Sequence, residues 1–514
     1  MNTEPDFIVI GAGSSGSVVA RGLLDQGARV LVFEAGQWGH RDSRLRRPAE
    51  YLSLQGSEFD WQFTTEAAKN LAGRKIACPR GKVVGGSGAI NAMIFHQGIS
   101  EDFANWESAA GEQWAPEAVE RDLSELAGEL ESQVGLEMPS ELSLSTQAFM
   151  EGAGQAIASG LVSGAPEVYR RMCRRGQRTS SAQLLRSTRD NERLTVATGQ
   201  RVSSVLLDRN ERVTGVQLAG DSTQFIAARC GVVLCAGAIA SPQLLMLSGI
   251  GPADPLREQK IRPIVVSPEV GSNLTDHLAF PVIFSTDSSS RFPTSWSARD
   301  LVRWNHLGTG PIASNLAEAG GFFDLPTEEC PEGVEAERAI QFHVTPTHYL
   351  LHPTESAPAA MSIAVTGSQP LSKGAVTLQS SDPMASPTID PGYLSDVRDM
   401  QVLVSGIEMA RKIAAQPGLA ALIRDELLPG PKRTGTRQLE RAIARYALTL
   451  YHPIGTCRMG RDDSSVVDPS FRVRGTENLF VADASVFPSM TRSNPNATVM
   501  LVARRASKEI AKLL

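Results

Sequence analysis

The chain has 514 residues, room for two or three domains or for one large fold with insertions. Its 42% hydrophobic and 21% charged residues exclude a disordered or fibrous protein. With 50 basic against 56 acidic side chains, the net charge of -6 argues against a nucleic-acid binder.

The opening MNTEPDFIVIGAG has no basic n-region and no uninterrupted apolar stretch before a cleavage site, so no secretory leader is expected. Phe7, Ile8, Val9 and Ile10 read as a buried strand of a parallel sheet. Gly11, Gly13 and Gly16 follow at dinucleotide-fingerprint spacing, then a helix over 17–26, a second strand over 29–33 and an acid, Glu34. Gly11 makes the tight turn, Gly13 lets backbone approach a pyrophosphate, and Gly16 lets helix and strand pack closely. The helix start, with Ser14 and Ser15, offers N–H groups to phosphates, while Glu34, followed by Ala35, can accept from a ribose hydroxyl. An acid there disfavours a 2′-phosphate and so NADP, but the fingerprint does not separate NAD from FAD.

A second glycine-rich element spans 79–91, with Gly81, Gly85, Gly86 and Gly88 among Ser87 and Asn91. Glycines this dense suggest backbone pressed against a ring system or diphosphate, and the apolar residues after Ile90 carry the segment into a core. Arg80 or Lys82 could balance phosphate charge. Residues 120–131 read as an amphipathic helix with a solvated acidic face. The longest apolar run, 231–251, is interrupted by Ser241, Pro242, Gln243 and Ser248, and reads as buried strand, turn and a helix over 241–247 rather than a membrane span. Residues 375–379 alternate as an exposed-face strand of an antiparallel sheet. The six cysteines are scattered, without CxxC or zinc-type spacing, so reduced thiols, a cytoplasmic protein and no metal site are expected.

GAGSSG with Glu34, PRGKVVGGSGAINAMIFHQG, GVVLCAGAIASPQLLMLSGIGP, VGSNLTDH and the tail over 451–503 resemble, in order, the glucose–methanol–choline (GMC) family of flavin oxidoreductases. CAGAIASPQ and the stretch from Ala313 to Phe322 are most similar to choline-dehydrogenase-like members. The resemblance implies an FAD-dependent enzyme that oxidises an alcohol by proton abstraction and hydride transfer to flavin N5. It implies cofactor contacts from Arg80, Gly81, Val84, Gly86, Ser87, Asn91 and Ala92 in the second glycine element. Val202 would lie near the adenine, Ala236 and Gly237 beside the cofactor, and Asp483 and Ala484 on its ribityl–phosphate side. Asn494, Pro495 and Asn496 complete that set. His452, in its HPIGTC context, falls where the family has its catalytic histidine. Asn494 falls at the second catalytic position, with Asn496 as the alternative.

The motifs lie far apart, so the expected fold is α/β (α+β overall). A Rossmann-like FAD-binding domain over 1–115, 190–278 and 441–514 would interleave with a substrate-binding domain, on an antiparallel sheet, over 116–189 and 279–440. Ile90 stands where some members carry a flavin-linking histidine, so non-covalent FAD is expected. The segment 107–185 is shorter than the family's, which suggests a more open entrance, and 280–365 should supply much of the substrate pocket. Glu318 is either a pocket carboxylate for a cationic substrate or a helix- or strand-end acid facing water or a backbone donor. His343, His348 and His352 read as loop histidines rather than a ligand cluster. A GMC-type lyase and a non-catalytic FAD-binding protein are the rivals. The partners expected are an alcohol and an electron acceptor, whether oxygen, a quinone or a protein carrier, without nucleic acid or an integral membrane segment.

Overall fold

Phe7–Ile10 (β1) has every side chain buried, because both faces of the strand are covered. The computed structural model describes residues 4–220, 224–351 and 357–514. After β1 come the helix Ser14–Asp25 (α1) and the strand Val30–Glu34 (β2). Further on are the helix Pro116–Gln133 (α2), the strands Ser163–Val168 (β3), Leu194–Thr198 (β4) and Gly231–Leu234 (β5), and the helix Gly237–Leu247 (α3). Next follow Leu278–Thr286 (β6), Ala319–Asp324 (β7), Ile340–Thr345 (β8), Ala360–Gly367 (β9) and Ile423–Leu428 (β10). The strand Leu479–Val481 (β11) and the helix Asn496–Ile510 (α4) lie near the end of the chain.

Two sheets organise the chain. The first is parallel, in the order β4-β2-β1-β5-β11, with Phe7 opposite both Val30 and Gly231. The second is antiparallel, in the order β10-β6-β9-β8-β7-β3, with Leu448–Thr449 also pairing β6. Each sheet has its own apolar core. Val9, Val233 and Met500 belong to the first, and Phe280, Phe342 and Ile407 to the second. The acidic helix α2 turns Leu123, Leu126 and Leu130 into the first core, although it lies in the segment expected to serve the substrate-binding part.

Three local expectations change. The helix expected over 17–26 begins at Ser14, and the one expected over 241–247 begins at Gly237. The strand expected over 375–379 is Ala375–Thr377 and stands outside the large sheet. It pairs with Thr388–Asp390 in a two-stranded ribbon, and its buried Val376 packs beside Phe63 and Ile239.

Pro242 lies inside α3 and has no N–H, so the carbonyl of Ala238 loses its helical partner. The buried hydroxyl of Thr456 donates to that oxygen at 2.6 Å. A defect in one motif is thereby repaired by a residue of the motif that carries His452. Thr456→Val keeps the shape and removes the donor. It should lower unfolding free energy by about 1–3 kcal/mol, the usual cost of a buried unsatisfied carbonyl. Chemical denaturation beside wild type measures this, and an unchanged midpoint would contradict it.

Candidate active site

A cavity of about 310 Å³ lies outside the carboxyl ends of β1, β2 and β5, the position that an α/β sheet leaves for a ligand. At one end Gly13, Ser14 and Ser15 present the start of α1, whose first N–H groups have no acceptor within the helix. The backbone of Gly86 and Ser87 faces them. A Cβ on Gly86 would stand 2.7 Å from the Gly13 Cα, so Gly86 has to be bare where the two glycine elements meet. Gly16 serves packing instead, since a Cβ there would lie 1.8 Å from the Gly11 carbonyl oxygen.

Glu34 and Ala35 line the same cavity, as do Gly11, Gly81, Asn91, Ala92, Val202, Ala236, Gly237, Ala484, Pro495 and Asn496. The Glu34 carboxylate accepts from the N–H of Ala12 at 2.9 Å and of Gly36 at 2.8 Å, while burial pushes its pKa up to about 7. Asp483 accepts from Gly237 N–H, Ser241 Oγ, and both Ser485 N–H and Oγ, so a fully buried carboxylate joins the end of β11 to the start of α3. Burial pushes its pKa up against those donors. Helix-terminal donors, a bare glycine approach and an acid at the end of β2 fit a dinucleotide such as FAD.

The far end of the cavity holds His452 and Asn494. Tyr451 has φ of 68°, a left-handed conformation that is costly for a tyrosine and that sets the course of the chain into His452. The N–H of His452 donates to Asp276 Oδ1 at 2.7 Å, and Asp276 Oδ2 accepts from the hydroxyls of Tyr393 and Thr449, each at 2.5 Å. His452 Nε2 lies 3.2 Å from Asn494 Nδ2, and His452 Nδ1 lies 2.9 Å from His277 Nδ1. Asn494 Oδ1 is within 3.3 Å of His343 Nε2 and 3.4 Å of Gln341 Nε2. Burial, then the neighbouring His277, His343 and Arg80, hold the His452 pKa well below the usual histidine range. Burial likewise lowers His277 and His343 to about 4.

Some sequence expectations change here, and two alternatives that the sequence left open are decided. Arg80 lines the cavity at this end, where its guanidinium donates to the carbonyls of Tyr451 at 2.6 Å and of Pro79, and not beside the helix start where it would balance phosphate charge. Lys82 lies over the Trp61 ring. Val84 is buried away from the cavity wall, with its N–H on Gln37. Asn494, and not Asn496, meets His452, since Asn496 accepts from the Ser14 hydroxyl at the opposite end. Glu318 is not a pocket carboxylate. It is buried among Ser143 N–H, Thr146 Oγ1 and Ser314 Oγ, which satisfy both its oxygens.

His343 is no loop residue: it sits in β8, buried, on the cavity wall. His348 does lie in a loop, half-buried, and His352 lies outside the described residues. Among the described residues, none between 107 and 185 lines the cavity, and 280–365 contributes only Ala317, His343, Thr345 and Tyr349. Sequence reasoning also missed Gln341 and Arg178. The buried Arg178 donates to the backbone and side-chain oxygens of Asn91. A signal for His343 and Gln341 was present, because residues two apart on a strand share a face.

Comparison with known proteins points the same way. Family models described as GMC oxidoreductase match residues 5–279 and 370–503. The chain is 34% identical to alcohol dehydrogenase [acceptor] of Pseudomonas putida, over 99% of this chain and 96% of that protein. It is 32% identical to oxygen-dependent choline dehydrogenase of Pectobacterium carotovorum subsp. carotovorum (strain PC1), over 99% and 95%. A structure of an Aspergillus oryzae formate oxidase variant, studied for FAD modification, superposes with a TM-score of 0.89 over 99% of this chain and 98% of its own. At 24% identity that likeness speaks to the fold alone.

The lowered pKa of His343 makes a thermodynamic prediction. The unfolded chain binds a proton at this histidine near pH 6.5 and the folded chain only near 4, so its contribution to stability is lost as pH falls through that window. His343→Gln removes the contribution. Between pH 7 and 5, wild type should lose stability relative to this variant by on the order of 1 kcal/mol per pH unit below 6.5. Parallel denaturant titrations check the difference, and curves that stay parallel with pH would refute it.

Proposed function

Because the chain belongs to the GMC oxidoreductase family, a family of flavoproteins, we propose that it binds FAD and oxidises an uncharged alcohol at its CH–OH carbon, with His452 as base and Asn494 as oxygen anchor. The observation that carries the reading is the meeting of His452 Nε2 and Asn494 Nδ2, 3.2 Å apart, on the wall of the cavity. FAD, when bound, supplies the hydride acceptor. His452 Nε2 accepts the hydroxyl proton of the alcohol, and Asn494 Nδ2–H donates to the alcohol oxygen as negative charge develops on it. His343 and Gln341 hold the Asn494 amide with its oxygen toward themselves and its nitrogen toward His452.

The charge of the wall supports a neutral substrate. Its only acids among the described residues are Glu34 and Asp483, both hydrogen-bonded to donors of the protein, while near His452 the cation of Arg80 is offset by the buried carboxylate of Asp276. Ile90 lines the cavity with a side chain that cannot bond covalently to the ring, which supports dissociable FAD. The six cysteines are all unpaired, which supports a reducing, cytoplasmic setting. Among the described residues no helix is long and apolar enough to cross a membrane.

Anaerobic mixing of the FAD-loaded protein with a panel of primary alcohols tests the reaction. Neutral alkyl or aromatic alcohols should bleach the flavin, and choline should do so much more slowly. His452→Ala should slow bleaching about a hundredfold or more, and Asn494→Ala should slow it by a smaller factor. Absence of bleaching by any alcohol would instead favour a lyase or a flavin-binding protein without turnover.

A further inference from the structure

Asp276 and His277, the last two residues of VGSNLTDH, both grip His452, one by its backbone and the other by its ring. The reaction as proposed uses neither residue. With His452 as its base, we infer that His277 is a positioning residue that fixes the His452 ring with its proton on Nδ1, so that Nε2 faces the cavity unprotonated. The role of His277 in turnover therefore rests on that proposed reaction.

The polarity comes from a backbone carbonyl. His277 lies immediately before β6 and Ser368 immediately after β9, and the register of these paired strands brings them face to face. His277 Nε2 is 2.8 Å from the Ser368 carbonyl oxygen, which can only accept, so Nε2 carries the hydrogen. Burial keeps the ring neutral, which leaves His277 Nδ1 with a lone pair. At 2.9 Å, His452 Nδ1 must then donate to it.

The other side of the ring agrees. Asn494 Oδ1 is turned toward Gln341 Nε2 and His343 Nε2, so its Nδ2–H points at His452 Nε2. A hydrogen on that nitrogen would set donor against donor. Every bond from β8 to Ser368 thus donates in one direction, and the chain of bonds ends on a backbone oxygen that cannot reverse it. When an alcohol inserts between Asn494 and His452, it meets a lone pair already aimed at its hydroxyl. Once Nε2 takes the proton, the Nδ1–H of the charged ring already has a neutral acceptor.

The test is ¹⁵N NMR of the unreacted, FAD-loaded protein labelled at histidine, which has eight histidines to assign. His452 should show a protonated Nδ1 and a bare Nε2 at neutral pH. His277→Phe, which fills the space without an acceptor, should yield mixed tautomers and slow flavin reduction by about 10- to 100-fold. The alcohol dissociation constant should change little. His277→Asn, whose side-chain oxygen can accept, should restore the tautomer and most of the rate. A wild-type spectrum with the hydrogen on Nε2 overturns the inference, and it is readable even if His277→Phe does not fold. Equal losses in both variants with an unchanged tautomer would overturn it as well. If no alcohol reduces the flavin, the proposed reaction fails, while the wild-type tautomer still decides the role of His277.

Discussion

The site depends on one buried carboxylate. Among the described residues no cation is bonded to Asp276, and burial pushes its pKa upward, yet it accepts from Tyr393, Thr449 and the backbone of His452. An unsatisfied group at that depth would cost several kcal/mol, so the donors and the acid require one another. They come from three distant stretches of chain, and their meeting ties the antiparallel sheet to the segment that carries His452. Tyr451 can hold its unfavourable φ because both of its flanks are fastened, with its own N–H on Thr449 Oγ1.

A similar economy governs the other end of the cavity. Asp483 ties β11 to α3 by accepting four hydrogen bonds, and Thr456 supplies the donor that Pro242 takes away. Both acids lie on or beside the cavity, but their acceptor capacity is spent inside the protein. The same is true of Glu318, for which the sequence left a cation ligand as one of two readings. A carboxylate near a pocket is thus no evidence for a cationic substrate until its hydrogen bonds have been followed. In this protein all of them lead back to the fold.

The histidines show the converse. Residues that look ordinary in sequence become a connected set once strands pair. His343 is drawn into the site because β8 is a central strand with both faces buried, and every second residue, Gln341 and His343 among them, faces the same way. Low dielectric surroundings lower the pKa of each of these rings, so the line of hydrogen bonds joins neutral groups. A neutral line can keep a fixed donor direction, which charged, solvated rings would lose.

What the sequence determined by itself is local. The β1–α1–β2 unit comes from a β-branched run, from the steric need for bare backbone at Gly11 and Gly16, and from an acid at the end of the second strand. The motif blocks carried the family, the strand-and-helix reading of 231–251, and His452 with Asn494 as the pair to examine. The tertiary structure decided what touches what. His277 and His452 are 175 positions apart, and Asn494 and His343 are 151 apart, so no local spacing encodes either contact. The packing of loops against the paired strands set both, and with them the choice of Asn494 over Asn496, the place of Arg80 and the dismissal of Glu318. Propensity and glycine sterics act within a few residues, whereas hydrogen-bond partners and burial exist only after the two sheets have assembled.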